Sequence, residues 1–108
     1  MKSSTRSSFI AILVSTITSF CGSALAVDCP SSSISYTQVQ AGGELLANQN
    51  GVWRFVGFTS TAGVKEMYAS LLISQTTGKS VTMRYPDGYN CFAENYNTAA
   101  QAVRLHRD

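Results

Sequence analysis

Hydrophobic and polar positions change period along the chain, and the changes mark its elements. Val64, Met67, Tyr68, Leu71, Leu72 and Gln75 recur at steps of three, four and seven, which predicts a helix with one apolar stripe over about Val64–Thr77. Gly78 then offers the positive φ with which many helices stop, and Ser60, Thr61 or Gly63 is placed to cap the start. After Gly78 the period falls to two. Val81, Met83 and Tyr85 alternate with Thr82 and Arg84, predicting a strand with one buried face. Three strands are predicted before the helix. Ile34–Gln40 alternates and is rich in β-branched and aromatic residues. Glu44–Ala47 is short and runs through Asn50-Gly51, a hairpin signal. Val52–Phe58 sets Trp53, Phe55 and Gly57 on one face against Val52, Arg54, Val56 and Phe58 on the other. The expected core is Val64, Met67, Tyr68, Leu71, Leu72, Val81, Met83, Phe55 and Trp53.

Beyond the fourth strand, Pro86-Asp87-Gly88 is a turn signal. Tyr89–Gln101 has no period and receives no assignment, and Ala102–Leu105 closes the chain as a short strand. The order β-β-β-α-β-β predicts a mainly β fold, a five-stranded OB-fold-like barrel with one α-helix.

The opening residues carry a different pattern. Lys2 and Arg6 precede the apolar run Phe9–Phe20, and Ala24-Leu25-Ala26 is a small-residue cleavage site. Residues 1–26 therefore read as a signal peptide cut before Val27, leaving 27–108 as a single domain, secreted or periplasmic. The run is short of the ~20 residues a membrane span needs. A lipoprotein signal at Cys21 is rejected because bulky Phe20 precedes it.

Export changes the reading of the rest. Cys21 leaves with the signal, so Cys29 and Cys91 remain, an even pair that predicts a disulfide in an oxidising compartment. Free thiols or metal ligands are the alternative, but no other residues have metal-ligand spacing, so no metal or cofactor is expected. A domain this small gains from a staple or a partner subunit. The formal charge of +2 falls to zero once Lys2 and Arg6 are lost, without the clustered basic residues that nucleic acid requires.

Catalytic chemistry finds little footing. Gly78-Lys79-Ser80 resembles the end of a phosphate loop, but Ile73 stands where that motif needs glycine, and the helix precedes the loop instead of following it. The single histidine, His106, lies near the C-terminus, and Asp28, Glu44, Glu66, Asp87 and Glu94 show no local pairing. The chain is read as no enzyme. Tyr89, Phe92 and Tyr96 fall in the unassigned segment without periodic reason for burial. They suit sugar contact, a subunit interface or local core.

The helix end Thr77-Gly78-Lys79-Ser80-Val81 running into Thr82–Tyr85, with Thr37-Gln38-Val39 shortly before a glycine turn, resembles the binding subunits of subtilase-cytotoxin and typhoid-toxin type. The resemblance implies an OB-fold toxin B subunit that forms a homo-pentamer, binds a cell-surface glycan and partners a catalytic A subunit. Laying Thr37-Gln38 on the family's corresponding pair puts Ser32 and Asp28 at sugar-contacting positions. A hydroxyl can both donate and accept, and a carboxylate accepts from two hydroxyls at once. Both residues also have ordinary readings, Ser32 as part of a serine run and Asp28 beside the mature terminus. The chain departs from the family in being shorter, in having two mature cysteines where the family has two disulfides, and in lacking its Trp-Thr start. A stand-alone periplasmic OB-fold module that binds or inhibits a protein partner is the alternative.

Overall fold

The computed structural model describes residues 25–108, so all but the last two residues of the signal segment lie outside the described part. The elements run β1 (Ala26–Asp28), β2 (Ile34–Val39), β3 (Glu44–Gln49), β4 (Val52–Phe58), α1 (Val64–Thr77), β5 (Val81–Pro86) and β6 (Ala102–Leu105). They form two antiparallel three-stranded sheets, β1-β5-β6 and β2-β3-β4. Among the described residues the fold is mainly β with one helix, and it differs from the expected five-stranded barrel in having six strands and no closed barrel.

Both differences have local causes. The segment before Ile34, for which no strand was predicted, contributes β1, which pairs Val27 with Tyr85 and Asp28 with Arg84. The Cys29 N–H continues this ladder to the Met83 carbonyl at 3.0 Å. Pro30 has no N–H to extend it. The chain touches β5 once more, through an isolated bridge between Ser32 and Val81, and then turns into β2 of the other sheet. On the far side an isolated parallel bridge joins Arg54 to Asn95. Closure is thus left to single bridges and to side chains.

The main core draws on both sheets and the helix, with Ile34, Ala47, Val56, Leu71, Met83 and Tyr85 among its buried members. In α1 the inward positions are Val64, Leu71 and Ser74. Leu72, expected in the stripe, is 41 % exposed, and Gln75 is exposed too. Met67 and Tyr68 are half-buried against the core. A buried serine is tolerated because its hydroxyl accepts from the Ile34 N–H at 3.0 Å and donates to the Lys79 carbonyl. Gly63 forms the N-cap without a side-chain bond, and Gly78 closes the helix at φ 79° with its N–H on the Ser74 carbonyl.

The faces of β4 are the main correction to the expected core. Arg54, opposite Ala47, points inward and is 2 % exposed, whereas Trp53, opposite Asn48, shares the outer face with Tyr36. Phe55 is buried, but under Phe58 on that outer face, their rings 5.3 Å apart edge to face. A bulge between Leu45 and Leu46 then lets Val56 and Gly57 both approach the inner side. A Cβ on Gly57 would come within 2.7 Å of the Val64 side chain, so glycine is what lets the helix start lie against β4.

Candidate binding site

The disulfide expected from the cysteine pair is present, joining Cys29 to Cys91 across 62 positions. It ties the unassigned segment to the end of β1. Behind it lies a buried polar chain. Arg54 donates through Nε to Gln49 Oε1 at 3.0 Å and through its terminal nitrogen to the Cys91 carbonyl at 2.8 Å. Gln49 Nε2 in turn donates to the carbonyls of Ser32 and Val81, both at 2.9 Å. Side chains here make the inter-sheet bonds that a closed ladder would supply.

Asp28 and Ser32 occupy separate places around this chain. Asp28 faces Arg84 across β1 and β5, with contacts of 2.8 and 3.3 Å to its two oxygens. The guanidinium holds the Asp28 carboxyl below its usual range. Both carboxylate oxygens are therefore already engaged. Ser32 spends its hydroxyl on the Ser33 carbonyl at 3.3 Å and bridges Val81 with its backbone. Their β5 partners are three residues apart, about 10 Å along the strand and on opposite sides of the pleat. The register does not gather the two side chains into one cleft.

The segment from Tyr89 onward makes a better enclosure. Tyr89 lies flat on fully buried Tyr85, centroids 3.9 Å apart and planes 8° apart. Asn90 Oδ1 accepts the Phe92 N–H, while Asn95 Oδ1 accepts those of Asn97 and Thr98 at 3.0 and 2.8 Å. The Asn95 N–H reaches the Trp53 carbonyl, and that of Ala100 the Val56 carbonyl. Between the Pro86–Asn90 turn and the Asn95–Thr98 arc is a cavity of about 320 Å³. Asp87, Tyr89, Asn90, Asn95 and Thr98 line it. Phe92 and Tyr96 stand outside it, 79 % and 55 % exposed, and the Tyr96 hydroxyl donates to Glu94.

Of the three aromatics singled out from the sequence, only Tyr89 belongs to this cavity. Asp87, Asn90, Asn95 and Thr98 were not expected there, since Asp87 reads as a turn former and the other three fall in the segment that received no assignment. A second depression, of about 370 Å³, sits beside the start of α1 among Thr59, Ser60, Lys65 and Glu66. His106 lines neither cavity; its ring lies 2.7 Å from the Thr82 hydroxyl, while Asp108 accepts from Ser80. Among the described residues no three acidic, histidine or cysteine side chains gather where they could hold a metal, and no helix is long and apolar enough to cross a membrane. No family model matches the chain, and no curated protein or solved structure matches it.

Proposed function

We propose that this chain is an exported, non-catalytic binding module whose ligand is a glycan. The observation that carries the reading is the polar cavity that Tyr89 lines together with Asn90, Asn95, Thr98 and one carboxylate, Asp87, a hydrogen-bonding enclosure beside an aromatic side chain. Sugars need that combination, because their hydroxyls seek donors and acceptors while their C–H faces seek π-surface. The resemblance to toxin B subunits supports the same ligand class, together with a homo-pentameric ring, a catalytic A subunit and an OB-like order of three strands, helix and two strands after β1. Export by a cleaved signal places the module where such glycans are displayed.

A glycan array on the processed protein tests the ligand class, and selective retention of saccharides is the expected result. Light scattering on the same sample tests the ring, with a five-fold assembly expected and a monomer mass at micromolar concentration counting against it. The second reading, a module that binds a protein partner, draws on the exposed apolar residues Tyr36, Val39, Leu72, Ile73 and Phe92. An array without hits, beside a stable complex with a co-purifying protein, would move the conclusion there.

A further inference from the structure

We infer that the cavity between the Pro86–Asn90 turn and the Asn95–Thr98 arc is a subsite for one uncharged sugar ring, held on Tyr89. The inference rests on the glycan reading above and adds the place and the charge class of the ligand.

Size is the first constraint. About 320 Å³ is at the lower end of the ~300–1,000 Å³ typical of ligand sites, enough for one small ring and not for an extended chain. The aromatic wall is the second. Tyr89 is half-buried, but its hydroxyl is fully buried and finds no protein partner. Whatever of this side chain reaches the cavity is therefore ring carbon. One face of the ring is spent on Tyr85, and that stack fixes the ring at the wall of the cavity. A rigid π-surface suits the C–H face of a pyranose, because little order is lost when the sugar docks.

The polar rim is the third constraint. The amide oxygens of Asn90 and Asn95 are taken by backbone N–H groups of their own turns, which fixes the flip of each amide and leaves its NH₂ as the free donor. Asp87 accepts, and the Thr98 hydroxyl, whose own contact is a long one of 3.5 Å to Asn97 Oδ1, can turn to a ligand and do either. Two donors, an acceptor and a two-way hydroxyl complement vicinal sugar hydroxyls. Charge then selects among sugars. The described residues lining the cavity include one carboxylate, Asp87, and no lysine, arginine or histidine. A sialic acid or uronic acid would bring its own carboxylate to Asp87 with no cation to offset it. The cavity takes neutral hexoses and excludes acidic ones.

The test is a ¹⁵N NMR titration of the protein with methyl β-galactoside, methyl α-glucoside and N-acetylneuraminic acid, read on backbone amides. At least one neutral glycoside should shift residues 86–98 with a dissociation constant of about 1 mM, and the acidic sugar should not. Thr98→Val and Tyr89→Leu should each weaken that binding about tenfold, whereas Tyr89→Phe, which keeps the ring, should stay within about twofold. Thr98→Val is near-isosteric and keeps the test decisive if Tyr89→Leu unfolds. Sugar-induced shifts at Asp28–Ser32 with residues 86–98 silent would overturn the cavity and leave glycan binding intact. Preference for the acidic sugar would overturn the charge selection. Silence toward every sugar, with an array empty of hits, would remove the cavity and the glycan reading together.

Discussion

Leu71 and Leu72 are neighbours in α1, yet one is fully buried and the other 41 % exposed. The helical period alone does not separate them, since a wide apolar stripe admits both. What decides is the third inward position, Ser74, whose hydroxyl satisfies the start of β2 and rotates the buried arc toward Leu71. Leu71→Ala should therefore cost ~2–5 kcal/mol, as buried leucine truncations do. Leu72→Ala should stay within about half a kcal/mol. Equal losses in urea titrations of the two variants would mean that the arc is drawn wrongly. Arg54 shows the opposite limit of residue-level reading. A charged residue in an alternating strand argues for the solvent face, and only the polar groups waiting inside, Gln49 Oε1 and the Cys91 carbonyl, make the inward face possible. The Cys91 carbonyl is a backbone group 37 positions away, and Gln49, though only five positions off, sits on the facing strand, so the alternation within β4 announces neither.

At the level of elements, the helix, the two strands after it and the hairpin β3–β4 were legible because each follows from period and turn chemistry within about a dozen residues. The lead strand β1 was not. Three residues are too few for a period, and their pairing partner β5 is more than fifty positions away. The cavity was hidden because its two turns, though close in sequence, are positioned by distant elements, through the stack of Tyr89 on Tyr85, the Cys29–Cys91 bridge and the Asn95 N–H on the Trp53 carbonyl. That bridge has a measurable role. Replacing both Cys29 and Cys91 by alanine should lower stability by ~2–5 kcal/mol, the range for a native disulfide in a small domain. Gln49→Leu should cost at least about 2 kcal/mol, because Arg54 Nε loses its buried acceptor and two carbonyls lose a donor. A Gln49→Leu variant as stable as the parent would show that the sheets do not depend on the side-chain link.

At the scale of the molecule, the buried polar residues among those described are Asn48, Gln49, Arg54 and Ser74, and no carboxylate or histidine is buried with them. The groups displaced from their ordinary range lie at the acid and alkaline extremes. Hydrogen bonds from Arg84 and Ser80 hold the carboxyls of Asp28 and Asp108 below 3.8, so their contribution is present above that pH and fades as pH falls beneath it. Burial raises the Tyr85 hydroxyl above 10.0, so its contribution is complete below that pH and is lost as pH rises beyond it. The urea midpoint should accordingly be flat from about pH 5 to 9, with a modest fall below about pH 4 because both carboxyls are exposed, and a larger one in strong alkali. A slope in the middle of that window would reveal a coupled group inside the fold.

The disulfide also settles how the molecule would carry tension. β1 and β6 flank β5 on opposite sides and run parallel to one another, and Cys29 follows β1 directly. A pull applied outside these two strands would pass from β1 through the sulfurs to Cys91, along the 92–101 segment and into β6. β5, paired with both pulled strands, would share the load until its ladders sheared, and only then would the segment lining the cavity straighten. The helix α1 and the sheet β2-β3-β4, which lie between Cys29 and β5 in the chain, would remain off the covalent load path for as long as the bridge is oxidised.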